Sequence, residues 1–162
     1  MPLDTGHVVA ELPRWDVEAR KAFGCLPPDV QSVAGFCDSV RAIPTVEGIK
    51  EILRGMFTLG IPETDLNWIA SENLKMPRAA AADLLFDHCL NDWRDVIVNT
   101  RMPNLVIGSR KSIFSAESHE WIASVNPNAR ASNYEEHEGG SRFMFFRNPR
   151  RFNAEVSAFL ST

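Results

Sequence analysis

The order of strands and helices predicted along the chain constrains its fold more than any other feature. Short apolar or β-branched runs predict strands at residues 7–12 (HVVAEL), 104–107 (NLVI) and 129–134 (ARASNY). Helical patterns separate these runs, and another helical pattern follows the last one. Strands that alternate with helices are typical of an α/β sheet with parallel strands and right-handed crossovers. We therefore expect a helix-rich α/β fold with a three-stranded parallel sheet.

Capping residues predict where several of the helices begin. Thr45 precedes an apolar stripe that runs from Val46 to Phe57, and Ser115 precedes a second helical pattern. Asn148 precedes an amphipathic closing helix. The long helical insert after the first strand would lie over one end of the sheet.

The middle of the chain contains one further strong helical pattern, at residues 78–93. Its inner side is predicted to carry Leu84, Leu85, His88 and Cys89. We interpret His88 as a hydrogen-bonded structural residue, because no cysteine or second histidine lies at ligand spacing from it.

Length and composition exclude several classes of protein. A chain of 162 residues suits one domain, and 44% hydrophobic with 23% charged residues is typical of a globular protein. No apolar segment approaches the length of a membrane span. A net charge of −4 does not indicate the basic surface that nucleic-acid binding needs. Three cysteines without paired spacing and the absence of an N-terminal signal pattern suggest a cytoplasmic protein. No motif for a cofactor or a metal is present, so we expect neither.

Three segments carry a resemblance to a known family: MPNLVIGSRKS, WIASVNPNA and GGSRFMFFRNPRRFNAEVSAFL. From about His7 to Leu160 the chain resembles the C-terminal half of an α/β-hydrolase, in the branch of small esterases, lactonases and non-haem haloperoxidases. The resemblance implies a single domain over 1–162 with a truncated α/β-hydrolase-like fold. In that fold residues 13–77 would form a helical cap, and residues 78–162 the C-terminal part of the core.

The catalytic triad of that family is incomplete in this sequence. Its serine lies in a GxSxG elbow, and no such pentapeptide occurs here. Its histidine position corresponds to Arg142, whose guanidinium cannot accept a proton. His137 lies five residues earlier and would be badly misplaced as a substitute base, so we interpret it as an exposed loop residue. The triad acid would correspond to Glu11, as a vestige, or less well to Asp16.

Two physical roles are open for Arg142 once catalysis is set aside. The guanidinium could form ion pairs with Glu135, Glu136 and Glu138 of its own loop and with Glu11 across the sheet edge. Alternatively, it could bind an anionic ligand. The structural pairing is the favoured interpretation.

The cap of such a protein would select what binds beneath it. Met56, Phe57, Leu59 and Trp68 could line a pocket for a small apolar ligand, although helix stripes of this kind are more often core. The functional expectation is a non-catalytic protein that acts by binding or assembly. The alternative is one half of a split ester or lactone hydrolase, completed by another chain.

The first strand predicts a partner for the chain. In the family, the strand that corresponds to residues 7–12 is interior, so a truncated chain would expose its edge. We expect either a homodimer through residues 6–12 or a complementary N-terminal half at that edge.

Overall fold

The computed structural model describes residues 30–57, 60–91, 93–112 and 114–161. Helices in the first part of the chain are followed by a small parallel sheet with helices around it. Their bounds are α1 Val30–Arg41, α2 Val46–Arg54, α3 Glu63–Asn73, α4 Arg78–Leu90, α5 Arg94–Asn99, α6 Ala116–Val125, α7 Met144–Arg147 and α8 Pro149–Leu160. A 3-10 turn covers Glu136–Glu138.

Two of the three predicted strands form the described sheet. β1 (Asn104–Ser109) pairs in parallel with β2 (Ala129–Tyr134), in a register that joins Asn104 to Ala129 and Ser109 to Tyr134. Helix α6 connects the two strands. The helix-rich α/β class and the parallel order are therefore confirmed for these strands, whereas the predicted strand at 7–12 lies outside the described residues.

The predicted caps are present at three helices. The Thr45 side chain accepts a hydrogen bond from the Gly48 N–H, and Ser115 accepts one from the Ser118 N–H. Asn148 accepts one from the Arg151 N–H at the start of α8. These caps satisfy backbone donors that a helix leaves unpaired in its first turn.

Helices α2 and α3 form one core cluster. Ile49, Leu53 and Phe57 from the α2 segment pack with Leu66 and Ala70 of α3, and all are buried. Phe143 and Phe146, from the segment that follows β2, pack against this cluster. Helices α2 and α3 therefore contact the part of the chain that carries Arg142.

Helices α1 and α4 form the second cluster, and they correct the prediction for the middle helix. Cys37 of α1 packs with Ala82, Leu85 and Cys89 of α4, whereas Leu84 is 58% exposed. The predicted inner side was wrong at Leu84, because the packing of α1 centres the buried side of α4 on other positions.

The predicted helix over 78–93 is also interrupted. Asn91 has extended backbone angles and ends α4 at Leu90. Its side-chain amide nitrogen donates a hydrogen bond of 2.7 Å to the carbonyl oxygen of Asp87. In a continuing helix that carbonyl would accept from the backbone N–H of Asn91 instead. A separate helix, α5, then leads to β1.

Candidate functional site

The loop between β2 and α7 has a tightly determined backbone. Glu135 and Glu138 form a capping box around the 3-10 turn, and Gly139 follows with a φ of 81°. A side chain at Gly140 would place its Cβ 2.6 Å from the backbone oxygens of Glu135 and Tyr134. Both glycines are therefore required by the course of the loop.

Ion pairs join this loop to the elements on either side of it. Glu135 pairs with Arg110 at 2.9 Å, and Glu136 with Lys111 at 3.7 Å. Each of the three loop glutamates thus has a basic partner other than Arg142, since Glu138 pairs with Arg151. The predicted pairing of these glutamates with Arg142 stays a prediction.

A cluster behind the loop joins the buried Tyr134 to the half-buried Arg151 and Glu155. The Arg151 guanidinium lies 3.8 Å from the centre of the Tyr134 ring, and its Nε donates to Glu155 at 2.7 Å. Burial, followed by the negative charge of Glu155, raises the pKa of Tyr134 to about 12. The Glu135 N–H, followed by Arg151, holds the pKa of Glu138 below its usual value. The cluster ties the end of β2 to α8.

Arg142 is positioned by contacts from two other segments. Its backbone N–H donates to the carbonyl oxygen of Met56 at 3.2 Å, which connects the loop to the end of α2. Its guanidinium lies over the Phe114 ring, 4.6 Å from the ring centre. The side chain is half-buried and lines a cavity of about 620 Å³.

His119 lies on the wall of the same cavity and was not singled out by sequence reasoning. It is buried, and its Nδ1 lies 2.9 Å from the Asn133 Oδ1. Because that oxygen can only accept, Nδ1 is the donor in this contact. The ring fits against Gly108, where an added Cβ would lie 2.0 Å from it. No local sequence pattern predicts this contact, because it joins residues of three separate elements, β1, α6 and β2.

The residues predicted to line a pocket beneath a cap differ from one another in burial. Phe57 is buried and stacks on Phe143, with 4.8 Å between ring centres, whereas Met56 is half-buried. Trp68 is 60% exposed. None of these three residues lines the 620 Å³ cavity, whereas Phe143, on which Phe57 stacks, does. Leu59 and Glu11 lie outside the described residues, as does Asp16.

The two other histidines considered are not in this cavity. His137 is exposed in the 3-10 turn, as predicted for a loop residue, and His88 is half-buried on α4. In the described part of the chain no group of three or more histidine, cysteine or acidic side chains could hold a metal ion. None of the described helices has the length and apolar character needed to cross a membrane.

Solved structures identify the architecture. A bromoperoxidase from Bacillus anthracis superposes with a TM-score of 0.75 at 16% identity, over 91% of this chain and 53% of that chain. An esterase (EaEST) from Exiguobacterium antarcticum superposes with a TM-score of 0.73 at 13% identity, over 84% and 50%. The chain has an α/β-hydrolase fold. It spans about half the length of these two relatives, as expected for a C-terminal half.

Sequence comparison adds no family assignment. No protein-family model and no curated protein matches the chain. The α/β-hydrolase fold hosts many reactions, so the likeness in fold does not by itself assign an activity.

Proposed function

We propose that these 162 residues act by binding or assembly and do not hydrolyse esters by themselves. One observation carries the proposal: arginine occupies position 142, in the loop that follows β2, where the resemblance calls for histidine. A general base must accept a proton within hydrogen-bond reach of its donor, and a guanidinium cannot accept one. The sequence also contains no GxSxG elbow to supply a nucleophile.

The contacts of Arg142 support a non-catalytic role. Its backbone is fixed on Met56 and its guanidinium lies over Phe114. His119 does not compensate for the missing base. Its Nδ1 is held by the Asn133 amide, and it lies on α6, not at position 142 where the resemblance places the triad histidine.

Hydrolysis of a short-chain nitrophenyl ester tests this proposal. We expect no rate above background from the purified chain, from Arg142→His, or from the control Arg130→His, which changes an exposed arginine on β2. Turnover that one point mutation abolishes would contradict the proposal. Ser112, Ser115, Ser141 and the cysteines would then be the nucleophiles to test.

The half-length match supports a second candidate function. The chain spans about half of two solved structures, a bromoperoxidase and an esterase. A separately produced N-terminal half could complete the fold and supply a serine, which makes the chain the cap and C-terminal half of a split hydrolase. Activity that appears only on mixing with such a half, and rises with Arg142→His, would favour this candidate.

Assembly remains part of the proposal. A homodimer through residues 6–12, or a complementary N-terminal half at the same edge, would cover the strand predicted there. Light scattering at tens of micromolar tests the first partner, and we expect a dimer. A monomer whose amides at 6–12 exchange rapidly would contradict the homodimer.

A further inference from the structure

Helices α2 and α3 are joined by a charged cluster in addition to their shared core. Lys50 of α2 is buried, and its Nζ pairs with Glu47 at 2.8 Å and with Glu63 at the start of α3. Arg54 donates to the second oxygen of Glu63 at 3.0 Å. Moving α3 away from α2 would leave the buried ammonium of Lys50 without one of its carboxylates, which is costly. The two helices are therefore expected to stay together when either one moves.

Further contacts join this pair of helices to α4 and α1. The side chain of Arg78, the first residue of α4, donates to the Asn73 Oδ1 at 3.1 Å and to the Met76 carbonyl oxygen at 2.9 Å. Arg41 of α1 pairs with Asp83 of α4 at 2.8 Å, and the apolar sides of these two helices share the second core cluster. Helices α1–α4 thus form a continuous series of contacts, which we call the helix unit.

The helix unit contacts the C-terminal part of the chain at the segment around α7. The Phe57 ring stacks on Phe143 with 4.8 Å between ring centres, and it contacts Phe146 edge-on at 6.2 Å. The Met56 carbonyl oxygen accepts from the Arg142 N–H at 3.2 Å. We call these three rings and this hydrogen bond the aromatic dock.

The aromatic dock is smaller than the interior of the helix unit. Phe143 and Phe146 are only partly buried, whereas Leu66 and Ala70 in the core between α2 and α3 are completely buried. Parts of a protein open first where few buried apolar contacts hold them. The dock is therefore the place where the helix unit is expected to separate while its own helices stay folded.

The connection from the helix unit to α5 can act as a hinge. Asn91 has extended backbone angles and ends α4 at Leu90, and α5 begins at Arg94. A hinge needs only a few residues at the end of an element, where changes in φ and ψ can be absorbed. Asn91 occupies such a position.

We infer that the aromatic dock opens as a conformational device: the helix unit separates from the α7 segment while it stays folded, and the separation releases the backbone of Arg142. In the docked state Met56 fixes that backbone. In the open state the loop would be held by its ion pairs with Arg110 and Arg151. The inference goes beyond the proposed function and does not depend on it, because it concerns neither hydrolysis nor a ligand.

Native-state hydrogen exchange of the wild type, followed by NMR, tests the inference without any substitution. The Arg142 amide reports the dock, and the Leu53 amide reports the interior of the helix unit. We expect Arg142 to exchange roughly tenfold or more faster than Leu53. Its exchange should also depend on urea, with a smaller slope than that of Leu53, because undocking exposes less surface than unfolding.

Two outcomes of this experiment would overturn the inference. Exchange of Arg142 that does not depend on urea would mean that its loop fluctuates alone. Equal rates and equal urea slopes for Arg142 and Leu53 would mean that the dock opens only when the whole protein unfolds.

A pair of neighbouring variants tests the dock from the α7 side. Phe146→Ala removes one ring of the dock, and we expect it to speed Arg142 exchange roughly 10- to 100-fold, about half the effect of deleting a fully buried phenylalanine. The matched control is Phe145→Ala, whose ring contacts Phe143 and Phe152. Its contact with Phe152 lies within the C-terminal part and persists after undocking, so Arg142 exchange should stay within roughly threefold of the wild type. Equal acceleration in both variants would contradict the assignment to the dock.

A variant inside the helix unit tests whether the unit stays folded when the dock opens. Ile49→Val weakens the buried core of α2, and we expect it to speed Leu53 exchange roughly 3- to 10-fold. It should leave Arg142 exchange unchanged, because the docked and open states both contain the folded unit. Acceleration of Arg142 as large as that of Leu53 would show that the unit unfolds on opening and would overturn the inference.

Discussion

Raising the pH perturbs a group that can be followed individually, because Tyr134 is the only tyrosine in the chain. It ends β2 and is fully buried beneath the Arg151 guanidinium. Burial is the main cause that raises its pKa to about 12, and the charge of Glu155 adds to it, whereas Arg151 opposes it. In the unfolded chain the phenol has its ordinary pKa of 10.0.

The sign and the magnitude of the effect follow from this difference. The folded-state pKa is the higher one, so the unfolded chain loses the proton first. The contribution of Tyr134 to the free energy of unfolding is therefore fully present below pH 10 and is lost as the pH rises towards about 12. A difference of two pKa units corresponds to about 3 kcal/mol at most.

Tyr134→Phe is the matched variant for this prediction. The Tyr134 hydroxyl makes no hydrogen bond of good geometry with the described residues, although Glu155 interacts with it closely enough to raise its pKa, so its removal costs a weak contact at most. We expect the variant to match the wild type to within about 1 kcal/mol at neutral pH. Above pH 10 it should become the more stable of the two, because it has no phenol to ionise.

Urea unfolding followed by tryptophan fluorescence, at pH values from neutral to about 11, measures both free energies. Near-ultraviolet absorbance reports the phenolate of the native protein directly. Lysines also titrate in this range, but they are common to both proteins and cancel in the difference. Phenolate that forms near pH 10 in the native state, or parallel losses of stability in both proteins, would refute the argument.

Three further predictions concern the framework of the site. Gly108→Ala should destabilise the fold by about 2 kcal/mol or more, measured by urea unfolding, because its Cβ would overlap the His119 ring. Gly140→Ala should cost about 1–3 kcal/mol in the same assay, since two backbone oxygens lie 2.6 Å from the added carbon. Glu138→Gln should be less stable than the wild type at pH 7, but the difference should vanish at low pH. The lowered pKa of Glu138 means that its contribution is present above its ordinary value of 4.5 and is lost as the pH falls through the folded-state value. A constant difference at both pH values would contradict the role given to Glu138.

Local signals made the helix starts and the two described strands predictable from sequence. A cap such as Thr45 or Ser115 depends on residues three positions away, and the run at 104–107 is bounded by proline and glycine. Facing directions were less predictable. Trp68, expected beside a pocket, is 60% exposed, because Leu66 and Ala70 face the neighbouring helix instead.

The candidate site depends on contacts between residues that are distant in sequence, and local sequence patterns do not predict such contacts. The sequence identified position 142 through its resemblance to a family, but the ring beneath its guanidinium comes from Phe114, after β1. His119 becomes part of the site only because Gly108 leaves space for its ring and Asn133 lies on the adjacent strand. Such juxtapositions follow from the parallel pairing of β1 with β2.

Position 142 distinguishes the two candidate functions, because one side chain there cannot be both a proton acceptor and a permanent cation. Its backbone is held by Met56 and its loop is held at both ends, so a substitution changes the chemistry at a fixed place. Histidine at 142 would restore a group that can accept a proton near neutral pH. Arg142→His should therefore raise ester hydrolysis only when a complementing N-terminal half supplies a serine. Equal rates for the wild type and Arg142→His in that mixture would mean that the side chain at position 142 does not limit the activity.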